Sequence, residues 1–269
     1  MKIIYSACSH VGRARENNED NLYADGITLT TDIREIPFSV DGSTYSPAIF
    51  AVCDGMGGEE SGEVASQIAV QMLLNSSGVI KKSAPRQLNE DVQSYVNIAH
   101  KRISTDEENR GKRMGTTLAL VAVTRSGVCC FNIGDSRIYC LQRNKLRQIT
   151  NDHTLFAEQQ KNTDVSHGIE IEEKDRHKLM RCIGIGKEFN IESYAPIFGK
   201  CRILICSDGL TDMVDKREIE SAMNIYEQTY EAASYLLSLA LKNGGRDNIT
   251  LIVLDVKGQR LPFFNRLVR

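Results

Sequence analysis

The sequence has no apolar run approaching the roughly 18 residues that span a bilayer, so no membrane helix is expected. Among its 8 cysteines there is no C-x-x-C spacing and no Cys/His cluster, which removes the usual zinc sites. Neither charge is in excess: 33 Lys and Arg face 35 Asp and Glu, and a net charge of -2 argues against a nucleic-acid binder driven by a positive field. Proline is scarce, 5 in 269 residues, and there is no internal repeat or low-complexity stretch, so disordered and fibrous classes are out. The opening MKIIYSACSHVGRAREN turns polar after a few residues, unlike a secretory leader, and the expected compartment is the cytoplasm. There the cysteines, most of them set in runs such as AIFAVC, GVCCFNI and RILICS, are expected to be reduced and buried.

What is present is a 41% hydrophobic, 25% charged chain, long enough to bury a core without disulfide or metal staples. Residues 117–149 read as three consecutive strands separated by Arg125-Ser126-Gly127 and Gly134-Asp135, an antiparallel meander. PAIFAVC and CRILICS are further strands, each stopping at an Asp-Gly pair, and ITLIVLDV is the last. Helical spacing joins Val64, Ile68 and Met72, with Ala65, Ala69 and Leu73 one position on, behind the candidate cap Ser61. A second helix is marked by Leu88, Val92, Tyr95, Val96, Ala99 and Ile103, and a third runs from about Thr229 to Lys242, stopped by Gly244 and Gly245. Strands grouped with strands and helices with helices predict an α+β fold of antiparallel sheets covered by helices. Residues 27–47, with Pro37, Pro47 and Asp41-Gly42, read as a long hairpin or inserted loop. Residues 151–181 read as an irregular or short-helical excursion, and the tail GQRLPFFNRLVR as a frayed terminus rather than a docking segment.

The chain has four Asp-Gly pairs. Asp25-Gly26 and Asp41-Gly42 follow no strong apolar strand and read as turns. Asp54 and Asp208 follow IFAVC and ILICS, and an acid at the margin of a buried strand must be paired, hydrogen-bonded or bound to a cation. Glu19 and Asp20 in RENNED, Asp135 in IGDSRIY and Asp247 in GGRDNITLIVL stand at similar margins. Carboxylates without His or Cys beside them suit hard cations such as Mg²⁺ or Mn²⁺, and the glycines of DGMGG would let a backbone carbonyl approach one.

RENNED at 15–20, FAVCDGMGG at 50–58, GTT at 115–117, GDSR at 134–137, CSDGLTD at 206–212 and GRDNIT at 245–250 follow one another in a set order. The set resembles that of the metal-dependent type 2C (PPM-type) protein serine/threonine phosphatases and covers residues 5 to 256 or so. The resemblance implies a four-layer α-β-β-α sandwich, two central antiparallel sheets flanked by helices. It implies one catalytic domain over 1–257, with 27–47 an insertion, about 151–181 a flap region and 258–269 a tail. By position, Asp54 resembles the acid that bridges two Mg or Mn ions, with the Gly55 carbonyl as a further ligand and Asp208 and Asp247 as the other carboxylates. Glu19 and Asp20 match an acidic pair that acts mainly through bound waters, Asp135 with Asp208 a site for a third ion, and Asn248 a supporting residue. Arg15 matches the arginine that grips the substrate phosphate.

Catalysis by Asp54, Asp208 and Arg15 is then implied: a metal-bridging hydroxide attacks phosphorus in line without a phosphoenzyme, while Arg15 offsets the charge that builds. Some relatives carry a histidine two residues after the bridging aspartate, where this chain has Met56. Methionine has no proton to give, so leaving-group protonation falls to water or another residue, with His153 in TNDHTL the candidate general acid. Glu170, Glu172 and Glu173 read as a solvated face of the flap, and CIGIG at 182–186 as its end rather than a nucleotide loop. The expected partners are phosphorylated proteins and an opposing Ser/Thr kinase, with no nucleic acid and no membrane, and the protein is expected to be a monomer. A non-catalytic phosphoprotein-binding module is disfavoured by the complete acid set. A phosphatase for small phosphorylated metabolites stays open.

Overall fold

Runs such as AIFAVC, TLALVAV and RILIC are apolar at consecutive rather than alternate positions, which suits strands covered on both faces. The computed structural model describes residues 1–30, 37–57, 61–106, 113–161, 178–186 and 190–258. Its strands are β1 (Lys2–His10), β2 (Asp20–Ala24), β3 (Ile27–Thr28), β4 (Phe38–Tyr45), β5 (Ala48–Gly57), β6 (Met114–Thr116), β7 (Leu118–Val123), β8 (Val128–Ile133), β9 (Arg137–Gln142), β10 (Lys145–Gln148), β11 (Glu192–Ser193), β12 (Cys201–Cys206) and β13 (Ile249–Lys257). Its helices are α1 (Ser61–Lys82), α2 (Leu88–Ser104), α3 (Leu155–Lys161), α4 (Asp208–Thr211), α5 (Lys216–Ile225) and α6 (Thr229–Lys242).

The strands form two sheets, ordered β10-β9-β12-β13-β1-β4 and β11-β8-β7-β5-β2-β3, with β6 joined to β5. Side chains alternate along each strand. On β5, Phe50 and Val52 lie between the sheets while Ile49, Ala51 and Cys53 lie under α1 and α2. On β12, Ile203 and Ile205 face the other sheet while Leu204 and Cys206 meet α5 and α6. The outer layers are completed by Ala65, Ala69, Leu73, Val92, Tyr95 and Ala99 on one side and by Ile219, Met223, Ala233 and Leu236 on the other. The expected four-layer α+β sandwich is therefore what forms, and all eight cysteines are free thiols, seven of them buried.

Several local expectations need correction. Residues 117–149 are not one meander: β7 and β8 pair in one sheet, but β9 belongs to the other, where it pairs with β10 and β12. The Gly134-Asp135 turn is thus a crossing between sheets. Asp41-Gly42 is no turn; it lies inside β4, where Gly42 faces Tyr5 across the ladder and a Cβ would come within 2.4 Å of the Tyr5 ring. Ser61 is the first residue of α1, and the residue preceding it lies outside the described residues. Helix α5, not foreseen, opens on a reciprocal capping box of Asp215 and Glu218. The 27–47 stretch contributes β3 and the edge strand β4, the described start of the flap region contains α3, and most of the flap and residues 259–269 lie outside the described residues.

Antiparallel pairing brings chosen ends together. His10 faces Ile249, Leu251 faces Cys206, Cys206 faces Arg137, and Asp20 faces Asp54. The segments that carry the singled-out acids therefore meet at one end of the sandwich.

Candidate active site

Asp54 does not end its strand: β5 runs on to Gly57 and changes partner there from β7 to β6. The Asp54 carbonyl accepts from the Thr117 N–H at 2.8 Å and from Thr116 Oγ1 at 2.9 Å, while its own N–H donates to Thr117 Oγ1 at 2.9 Å. Gly55 is required by close approach, since a Cβ there would sit 2.0 Å from the Gly62 carbonyl oxygen and 2.6 Å from that of Glu19. Gly209 is required for the same reason: its Cβ would sit 2.0 Å from the Asn248 carbonyl oxygen, so α4, which opens at Asp208, is pressed onto the Asp247–Asn248 backbone.

Asn248 holds the loop that follows β1. Its Oδ1 accepts from the Glu19 N–H at 2.7 Å, and its Nδ2 donates to the carbonyls of Val11 and Asn17, each at 2.9 Å. That loop delivers Arg15, whose Nη2 donates to Asp247 Oδ2 at 2.8 Å. Arg15, Glu19, Asp54, Gly55, Asp135, Asp208 and Asp247 line one cleft of about 360 Å³, with Met56, Gly57 and Leu179 as further walls. Asp20 does not line it but lies beneath, 0% exposed.

The electrostatics are those of a site short of positive charge. Asp20 Oδ2 accepts from Ser207 Oγ at 2.8 Å, but Oδ1 has no partner. Burial pushes this carboxyl up to about 7, against the pull of hydrogen bonds from Ser207 and Thr250 and with the help of Asp208 and Asp247. Asp54 and Asp135 are also pushed well up, first by burial and then by neighbouring carboxylates, Asp20 foremost for Asp54 and Asp208 for Asp135. Burial raises Glu19 too, opposed by Arg15. Among the described residues, Arg15 is the one cation lining the cleft.

An all-oxygen donor set, an orphaned buried carboxylate oxygen and mutually repelling acids fit hard divalent cations. Among the described residues, no three of these side chains are drawn together closely enough to hold an ion as they stand.

The sequence profile of the family described as protein phosphatase 2C matches residues 40–242. The chain belongs to the protein phosphatase 2C family. Its reaction follows from that membership: metal-dependent hydrolysis of phosphoserine and phosphothreonine in proteins. The serine/threonine phosphatase Stp of Listeria welshimeri is 30% identical over 251 residues, covering 91% of this chain and 92% of the relative. The crystal structure of the Mycobacterium tuberculosis serine/threonine phosphatase PstP/Ppp superposes with a TM-score of 0.75 at 30% identity, covering 96% of this chain and 100% of that one. A structure of the PstP catalytic domain in complex with two manganese ions superposes with a TM-score of 0.70 at 30% identity and the same coverage.

In this protein phosphatase 2C chain, His153, expected as the general acid, is not among the residues that line the cleft. The side chain is 6% exposed, its Nδ1 accepts from the Gly134 N–H at 3.1 Å, and its Nε2 lies 2.6 Å from Glu192 Oε2. A ring whose Nδ1 accepts carries its proton on Nε2 and gives it to Glu192, so both nitrogens already have protein partners. Three hydroxyl residues of the phosphatase were not singled out from the sequence, although they lie in the quoted motifs. Thr117 Oγ1 and Ser136 Oγ are hydrogen-bonded at 2.7 Å and tie the Asp54 strand to the Asp135 turn. Ser207 Oγ donates to Asp20 and accepts from the Thr250 N–H at 3.0 Å. Their one signal in the sequence is position, next to or close by a motif acid.

Proposed function

We propose that the cleft is the phosphatase centre and that it works with two Mg or Mn ions, with Asp135 and Asp208 available to a third. The observation that carries this reading is the meeting of acids from separate elements on one cleft with Arg15 as its cation. Asp54, Asp208, Asp247 and the Gly55 carbonyl would hold the ions directly, and Glu19 and the buried Asp20 mainly through water. When bound, the ions supply charge neutralisation and an activated water for in-line attack on phosphorus.

The chain's own residues do the rest. Arg15 presents a planar fork at the cleft edge and is placed to take phosphate oxygens. The Asn248 hydrogen bonds hold the Arg15 loop against the strand ends, and Gly55 and Gly209 permit the close packing that aims Asp54 and Asp208. Met56 lines the cleft without a proton to donate, so the departing alkoxide takes its proton from solvent.

Residues 1–257 act in this reading as one catalytic unit. Phosphoproteins are preferred over small metabolites as substrates because the relatives that match over most of their length are named for serine/threonine phosphatase activity. The two-manganese PstP structure supports the ion count. We place the enzyme in the cytoplasm as a monomer opposing a Ser/Thr kinase, without nucleic-acid or membrane partners. The near-neutral charge balance argues against a nucleic-acid partner, and among the described residues no helix is long and apolar enough to cross a membrane. The test is phosphate release from a phosphothreonine peptide, an aryl phosphate and a sugar phosphate with Mn²⁺, with chelator, and in Asp54→Ala. Peptide and aryl phosphate should turn over only with Mn²⁺ and only in the wild type. Turnover that survives the chelator would sink the reading.

A further inference from the structure

We infer that His153 and Glu192 are positioning residues for Asp135: a buried imidazole held by a half-buried carboxylate pins the Gly134–Asp135 turn and so sets how tightly the Asp135 side of the cleft binds a divalent cation. The inference rests on the reading of Asp135 as a metal ligand given above. It adds two residues, one of them on the edge strand β11 and 39 residues along the chain from its partner.

The turn needs a pin. It crosses from β8 in one sheet to β9 in the other, so no ladder holds it from both sides. Gly134 has φ +98 and is pressed on Thr117, where a Cβ would sit 2.6 Å from Cγ2. Asp135, the next residue, is 6% exposed. Both polar backbone groups of Gly134 end on His153. The Gly134 N–H donates to the ring Nδ1 at 3.1 Å, and the Gly134 carbonyl accepts from the His153 N–H at 3.0 Å, with Asn132 Nδ2 a second donor at 3.1 Å.

A pin works only if its ring is fixed. Nδ1 must stay unprotonated to accept, which puts the proton on Nε2, where Glu192 Oε2 takes it at 2.6 Å. Glu192 is held in turn by Asn151, whose Nδ2 donates to Glu192 Oε1 at 3.0 Å and whose N–H donates to the Tyr194 hydroxyl at 2.9 Å. The same histidine anchors a cleft wall. Its carbonyl accepts from the Met180 N–H at 2.8 Å, next to Leu179, which lines the cleft. Displacing the ring therefore loosens an acid and a wall together.

The test is calorimetric titration of metal-free full-length protein with Mn²⁺, read beside the thermal midpoint, in Asp135→Ala, His153→Asn, His153→Gln, Glu192→Ala and Glu192→Gln. Asn places an amide oxygen near the position of Nδ1 and keeps an acceptor for Gly134; Gln places its nitrogen near Nε2 and loses that acceptor. Glu192, with its side chain 31% exposed on an edge strand, can be truncated without opening the core. The component of Mn²⁺ binding lost in Asp135→Ala should weaken about 10-fold in His153→Gln and Glu192→Ala, the size usual for groups that orient metal ligands. It should stay within about 3-fold of wild type in Glu192→Gln, which retains the acceptor for the ring proton, and fall between the two in His153→Asn, which keeps the acceptor for Gly134 but gives up Glu192. Lower thermal midpoints with unchanged Mn²⁺ affinity in His153→Gln and Glu192→Ala would make the pair merely structural and overturn the inference. Unchanged binding in Asp135→Ala would instead overturn the reading of Asp135 on which it rests.

Discussion

Stripped of divalent cations, the protein should lose stability as pH rises through neutrality. The Asp20 carboxyl ionises near 3.8 when unfolded but is pushed up to about 7 in the fold, where it is 0% exposed and has one oxygen without a partner. Between those values the native state holds a proton that the unfolded chain has released, so stability falls with rising pH. The full shift corresponds to about 4 kcal/mol, with roughly half of it or a little more falling between pH 5 and pH 8. Asp54 and Asp135 are raised as well and act in the same direction, whereas His10, lowered by burial and by Arg13, acts in the opposite one below its unfolded value of 6.5. Asp20→Asn removes this titration together with the largest carboxylate contribution to the Asp54 shift, while keeping His10. Urea unfolding in chelator across pH 5 to 8 should show the wild type losing on the order of 2 kcal/mol relative to Asp20→Asn. A pH dependence parallel in the two proteins would refute the reasoning. Saturating Mn²⁺ should reverse the wild-type slope, since ion binding requires the deprotonated acids.

Gly55→Ala should destabilise the fold by several kcal/mol and abolish activity, because its Cβ would collide with backbone oxygen at 2.0 Å, whereas Gly26→Ala, with open space but φ +114, should cost only about 1–2 kcal/mol in thermal unfolding. Arg15→Ala should lower kcat/KM for an aryl phosphate about 100-fold while Mn²⁺ affinity by calorimetry stays equal or tightens, since Asp247 loses its competing partner at 2.8 Å. Asn248→Ala should reproduce part of the Arg15→Ala loss in steady-state kinetics, about 10-fold in kcat/KM, because the Arg15 loop loses hydrogen bonds to Glu19, Val11 and Asn17.

The layers were legible because doubly buried strands leave continuous apolar runs, and because α1, α2 and α6 carry apolar stripes at helical spacing. The pairing of strands was not. Nothing local distinguishes the hairpin turn after β7 from the crossing after β8, since both are short glycine-containing turns and the choice of sheet is made by long-range packing. The four Asp-Gly pairs show the same limit in miniature. Their glycines answer to separate demands: a positive φ at Gly26, an aromatic neighbour across the ladder at Gly42, and backbone contact at Gly55 and Gly209. The site acids stood out because carboxylates flank buried strands. The setting of His153 was not legible because a polar loop residue in sequence is a buried one in space, covered by Glu192 from an edge strand only two residues long.

The most direct test of the central claim is anomalous diffraction from crystals grown with Mn²⁺. The account predicts two strong peaks inside the cleft, both within coordination reach of Asp54, with Asp208 and Asp247 completing the carboxylate set. Manganese found only at surface carboxylates away from this cleft, in crystals of protein that hydrolyses phosphopeptides, would contradict it.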